Sequence, residues 1–351
     1  MKRVRIEALA AYLPERVVSN EEIEYRVNHH QPNTYEPIAP AALDAPIHHN
    51  GHQVLSKGLL ERLFGARFRR FAAQSEQVSD IGAAAARPIV QSVGAPAIDC
   101  LIFAAASADM IEPATANMIQ MKLGLACPVF DLKNACNSFV NGVQVAAALV
   151  QSGQCQRVLV VSAEKLQDAI QFNISNAQDL RRRLAALTLG DGGGAGLVSA
   201  SANGHGMIWQ GYQSSGQYWH LSMVPGGGSL HPHGGYTYFE GHTQGLQGIF
   251  LQEFAELLER CFQESGVAPA AVQAVFMHQV SLATTHAVAD YIGIPRTRFF
   301  HTFPMYGNIA AASIPVSMYE AAQTGKIRPG DVVLVIGLGA GISIGVQLFI
   351  W

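Results

Sequence analysis

Three side chains have the type and setting to carry out covalent chemistry. Cys136 stands in DLKNACNSFVNGVQVAAALVQSG, between the end of an apolar strand-like run and a long apolar helix. A thiol there feels the unpaired N–H groups and the positive end of the helix dipole, which lower a cysteine pKa and suit it to act as a nucleophile. Taken alone, a cysteine is more often an inert buried hydrophobe. His278 closes AVFMH, so four apolar residues place an imidazole at a sheet edge, as a base or as a satisfied core histidine. Asn308, in YGNIAAASIP, precedes a helix of small residues, where asparagine otherwise serves as a cap or turn residue. The run GLGAGIS, Gly337 to Ser343, lies between two strands. Without a following helix it is no dinucleotide loop, and its small residues allow a backbone N–H to approach the cysteine as an oxyanion donor.

The elements that must position these residues occur twice. Ile98 and Val272, Pro128 and Arg298, Arg157 and Val332 begin matching strand-like runs about 170–175 residues apart. Cys136 and Asn308 fall at nearly the same offset, so equivalent strand and helix ends bring Cys136, His278 and Asn308 to one pocket near a pseudo-two-fold axis. The runs are short, β-branched and nearly continuous, as in strands covered on both faces by helices. The reading is two fused α/β halves, 1–202 with the cysteine and 203–351 with the histidine and asparagine, packed into layers. The excursion from Ala163 to Leu189 has no counterpart in the second copy and is a candidate cap or dimer element.

Composition narrows the classes. With 49% hydrophobic and 14% charged residues, 351 residues suffice for a large core. A net charge of -3 gives no general field for nucleic acid or an anionic membrane. Five cysteines without a CxxC pair suggest no disulfide framework and a reducing, cytoplasmic setting. The start reads as a first strand rather than a signal peptide, and no apolar run reaches membrane-spanning length. Arg181, Arg182 and Arg183 form a basic cluster that serves a phosphate-bearing ligand or a solvated helix face. In the segment from Asn28 to Gln53, His29, His30, His48, His49 and His52 raise the question of a metal. Pro46, Asn50 and Gly51 break any helix there and no carboxylate or cysteine cluster completes a site, so a mobile lid is the preferred reading.

The segments DLKNACNSF, LTLGDGGGAGLV, MHQVS and YGNIAAASIPVSMYEAAQTGKIRPGDVVLVIGLGAG resemble the corresponding motifs of ketoacyl synthase III and its relatives in the thiolase superfamily. The resemblance implies a thiolase-like duplicated αβαβα layered fold and a homodimeric acyltransferase that condenses acyl-CoA or acyl-carrier-protein thioesters. It implies that Cys136 is acylated, that His278 and Asn308 bind the second thioester's carbonyl, and that the N–H groups of Cys136 and Ala340 form the oxyanion hole. No metal or redox cofactor is implied.

Two departures bear on the substrate. Where the housekeeping enzyme carries an aromatic residue before the proline of IEPATANM, reaching into the partner's acyl pocket, this chain has Glu112. That glutamate is similar to the base of the head-to-head acyl-CoA condensing enzymes of olefin biosynthesis and of related pyrone-forming ketosynthases. The resemblance therefore favours a non-decarboxylative condensation with Glu112 as base; decarboxylation of a malonyl thioester is the alternative, and a non-catalytic partner subunit is a third reading. The family's adenine-stacking tryptophan falls at Leu59, leaving Arg62, Arg67, Arg69, Arg70, Arg181 and Arg182 as candidates for phosphate contact.

Overall fold

The computed structural model describes residues 3–31, 35–38, 43, 54–202 and 204–351, with the side chains of 243–247 left aside. The histidine-rich stretch that holds His48, His49 and His52, and with it most of the lid and metal readings, lies outside the described residues. His29 is described: it stacks on Tyr25 at 3.9 Å and its Nδ1 meets that residue's carbonyl.

The apolar runs form two sheets. The first has the spatial order Val4–Tyr12, Gly192–Ala200, Arg157–Glu164, Cys100–Ala104, Val129–Leu132, the last three strands being parallel. The second has the order Ala274–Met277, Val332–Gly339, Ser343–Ile350, Gly206–Ser214, its first pair parallel and the rest antiparallel. Parallel strands need a crossover, and one helix of each half lies on such a crossover: Ser138–Gln151 between Val129–Leu132 and Arg157–Glu164, and Ser313–Gln323 between Ala274–Met277 and Val332–Gly339.

Those two helices lie between the sheets. One core cluster joins Phe139, Val140 and Val143 of the first helix and Ile314 and Met318 of the second to Val160 and Val198 of one sheet and Phe276 and Val335 of the other. The sequence gives the cysteine helix a broad apolar surface because both of its faces are covered; Val145 and Leu149 also pack against this cluster. The outer face of the first sheet is covered by Val78–Val93 and Thr115–Leu123, that of the second by Thr243–Ser265 and Leu282–Ile292. The order helix, sheet, helix, sheet, helix is the expected αβαβα arrangement.

The excursion after Glu164 packs as a cap. Ile170, Phe172, Ile174 and Leu187 join Ile23 and Val27 of the Asn20–Asn28 helix and Phe71 of the strand Phe68–Phe71, which pairs antiparallel with Arg16–Ser19, in a separate cluster. Buried Asp191 pins the excursion's start: its Oδ1 accepts from the N–H of Leu166 at 2.7 Å and Gln167 at 3.0 Å, and its Oδ2 from that of Ala72 at 2.8 Å. Burial pushes this carboxyl up to about 7 against those three bonds. Asp191→Ala strands three N–H donors away from water at about 1–3 kcal/mol each, so we expect a loss of about 3 kcal/mol or more, read as a lower midpoint in urea unfolding.

Candidate active site

The cysteine turn follows the edge strand Val129–Leu132. Ala135 takes a left-handed φ of 48°, a conformation that costs an alanine about 1–2 kcal/mol. Ser138 holds the turn, since its Oγ accepts from Asn134 N at 2.8 Å and donates to Ala135 O at 2.7 Å. Asn137 and Asn134 both donate from Nδ2 to Ser343 Oγ, at 2.8 and 2.7 Å, and so fasten the turn to the second half. Glycine is needed where the strand passes the turn: a Cβ on Gly337 would lie 1.9 Å from Asn137 Oδ1, and one on Gly339 2.9 Å from Asn134 O.

Cys136, His278, Asn308 and Ala340 line one cavity of about 310 Å³. Its walls are mostly apolar, with Leu166, Ala169 and Leu189 from the cap and Met223, Phe239 and Phe250 from the second half. Lys133 is the one charged side chain among the described lining residues, and it has no ion-pair partner among the described residues.

Two hydrogen-bond patterns fix what the polar groups can offer. The Nδ1 of buried His278 lies 3.1 Å from Ala310 O and 3.2 Å from Ser313 Oγ. A carbonyl can only accept, so Nδ1 is assigned the proton and Nε2 the lone pair. Burial lowers the imidazole to about 4, opposed by the Ala310 carbonyl, so the ring is neutral at pH 7. Asn308 accepts from Ala310 N through Oδ1 at 2.9 Å, which leaves its Nδ2 as a donor. The turn between them holds Ala310 at a φ of 39°.

The thiol differs from expectation. Cys136 precedes the helix N-cap, Asn137, and is partly open to the cavity, yet burial of its sulfur pushes the thiol up to about 12, with the charge of Glu164 adding to the rise. Desolvation by the apolar walls outweighs the helix dipole. With His278 near 4, the resting pair is thiol and neutral imidazole rather than an ion pair.

The other expected residues lie outside this cavity. Glu112 is exposed in the loop after Ser107, beside Ile111, which is 87% exposed, and is not among the described residues that line this cavity. Arg62 bonds the carbonyl of Lys57 and the hydroxyl of Ser56, and Arg67 pairs loosely with Glu61 at 3.9 Å. Arg181 and Arg182 end the short helix Ala177–Arg183, and Arg70 donates to the carbonyls of Pro14 and Glu15. Arg69 is a correction: it is fully buried, donates to Asn20 Oδ1 at 2.9 Å, and cannot meet a phosphate. Sequence reasoning missed Ser343, Ser313, Lys133 and Glu164. Of these, Lys133 was within sight, three residues before the cysteine.

The comparisons agree with the geometry. Residues 130–216 match the family described as 3-oxoacyl-[acyl-carrier-protein] synthase III, and residues 262–351 match its C-terminal part. The chain is 30% identical to the β-ketoacyl-[acyl-carrier-protein] synthase III of Deinococcus deserti, covering 96% of this chain and 88% of that one. It is 27% identical to the enzyme of the same name from Neisseria meningitidis, covering 99% of each. Among solved structures, the Thermus thermophilus synthase III superposes with a TM-score of 0.83 at 26% identity, covering 99% of each chain. Xanthomonas campestris OleA superposes with a TM-score of 0.85 at 24% identity, covering 100% of this chain and 99% of that one. The layered fold and the cavity at the ends of its two halves are those of a thiolase-superfamily condensing enzyme. This chain belongs to the β-ketoacyl-[acyl-carrier-protein] synthase III family within it, and is an acyltransferase of the condensing type.

Two measurements check the electrostatics. Alkylation of Cys136 by iodoacetamide should accelerate about tenfold per pH unit from pH 7 to 10, whereas a plateau reached below pH 8 would mean a preformed thiolate–imidazolium pair. The lowered pKa of His278 means that the unfolded chain binds the proton more readily between pH 6.5 and about 4, so its contribution is present above 6.5 and lost as pH falls through that window. His278→Gln should flatten the acid limb of the stability profile, by up to about 3 kcal/mol.

Proposed function

We propose that the chain transfers an acyl group from a thioester to Cys136 and condenses it with a malonyl-type thioester, releasing carbon dioxide, to give a β-ketoacyl product. The observation that carries this reading is the content of the cavity: Cys136, His278 and Asn308 line it together, and no carboxylate does among the described lining residues. Loss of carbon dioxide generates a carbanion without a base, whereas a plain acyl thioester needs one to take its α-proton.

In the first step the Cys136 sulfur attacks the thioester carbon as its proton passes to His278 Nε2. The oxygen of the tetrahedral adduct takes the N–H groups of Cys136 and Ala340. Collapse breaks the carbon–sulfur bond of the donor, and its thiolate takes the proton from His278. Because the thiol and imidazole are both neutral at rest, charge appears only along this path, where those two N–H groups would stabilise it. The malonyl thioester then binds with its carbonyl at Asn308 Nδ2, and loss of carbon dioxide leaves an enolate. The enolate carbon attacks the acyl carbonyl, the Cys136 thiolate departs, and a proton from water restores the thiol. Lys133 gives an otherwise apolar wall a point of attraction for an anionic donor. Carriage on an acyl carrier protein, as named for the relatives, or on coenzyme A fits either step.

A second reading has Glu112 of another copy as the base for a plain acyl thioester. It is favoured by the exposure of Met110, 47%, and Ile111, 87%, on the Glu112 loop, which a second copy in a homodimer would cover. It is also consistent with the likeness to OleA, a cysteine variant of which has been solved with lauric acid and lauroyl-CoA bound.

Product analysis with acyl-CoA alone and with added malonyl thioester separates the two. The proposal expects product and carbon dioxide only with the malonyl donor, little change in Glu112→Ala, and acyl loading without condensation in Asn308→Ala. Product from acyl-CoA alone that vanishes in Glu112→Ala while Cys136 still loads would replace it with the second reading.

A further inference from the structure

We infer that Glu164 is a positioning residue of this site: its buried side chain braces the turn carrying Asn308 against the wall of the cavity. The inference rests on the proposed acyl-enzyme chemistry. Glu164 ends the strand Arg157–Glu164 and is wholly buried. Its Oε1 accepts from Ala106 N at 2.9 Å and Ala311 N at 3.3 Å; its Oε2 accepts from Ser107 N at 2.9 Å and Ser107 Oγ at 2.6 Å. Four donors converge on one side chain, an arrangement that suits a carboxylate, which accepts at both oxygens and donates at neither.

Each bond reaches something the reaction uses. Ala106 lines the cavity, and Ser107 begins the loop that carries Glu112. Ala311 follows Ala310, whose carbonyl sets the His278 tautomer and whose N–H occupies Asn308 Oδ1. A non-glycine residue at a φ of 39° is unfavourable unless its surroundings hold it. Glu164 supplies a hold from the opposite half of the molecule.

The charge matters separately from the brace. The titratable groups around the thiol are Glu164 from the first sheet, His278 from the second half, and Lys133 just before the cysteine. No cation pairs with Glu164 among the described residues. Lys165, next in the chain, instead donates to Glu76 O and lies 3.9 Å from Asp168. Burial raises the pKa of the Glu164 carboxyl, opposed by the hydrogen bonds from Ala106, Ser107 and Ala311, and in its ionised form it opposes a thiolate at Cys136.

Two substitutions separate the roles. Glu164→Gln removes the charge and replaces one acceptor with donors, whereas Glu164→Asp keeps the charge and shortens its reach toward Ala311. In Glu164→Gln the pH profile of Cys136 alkylation should move to lower pH, making alkylation about 3–10-fold faster at pH 8, while condensation slows by about 10- to 100-fold and loading slows less. Glu164→Asp should keep the alkylation profile of the unaltered protein and still lose condensation more than loading. Equal losses of loading and condensation in both variants overturn the inference. If Glu164→Gln does not fold, the split between loading and condensation in Glu164→Asp decides. If the unaltered protein forms no acyl adduct with any acyl-CoA, the acyl-enzyme reading fails, and the alkylation profiles still report on the carboxylate.

Discussion

The site depends on the burial of two helices between two sheets. Ser138–Gln151 and Ser313–Gln323 share one core with strands of both halves, and burial of apolar area on this scale is the main favourable term available to the chain. Once the two helices lie together in the central layer, the turns that precede them open at the same end. The cysteine turn and the Asn308 turn are those two turns. The placing of Cys136 and Asn308 therefore follows from where the core puts helix starts, and the local bonds of Ser138, Asn137 and Ser343 refine it.

Burial also sets the electrostatic character. The apolar walls raise the thiol and lower the imidazole, so both titrate far from pH 7 in the direction of neutrality. A helix dipole and a neighbouring histidine, considered without their surroundings, suggest the opposite for the cysteine. A site that holds its reactants uncharged can stabilise charge as it develops rather than storing it.

The cap gives the cavity much of its shape. The excursion after Glu164 has no equivalent in the second half, and its Leu166, Ala169 and Leu189 complete the apolar wall. Asp191 holds the start of that segment through three backbone N–H groups. Two buried carboxylates thus serve structural ends in one region: Asp191 orders the cap, and Glu164 reaches across to the second half.

Much of this was legible in the amino-acid order, because strand and helix periodicity repeats along the chain and the offset between Cys136 and Asn308 places them at equivalent positions. The layered fold, the grouping of Cys136, His278 and Asn308, and the close packing at the glycine run follow from local pattern plus duplication. What the sequence could not supply depends on distances through space. Arg69 reads as a surface cation beside Arg70 but is enclosed, since the strand Phe68–Phe71 turns it inward toward Asn20. Glu164 and Ser343 carry no local signal, because their partners lie more than fifty residues away. The pKa of Cys136 depends on the volume of apolar matter around the sulfur, and only the tertiary packing decides that.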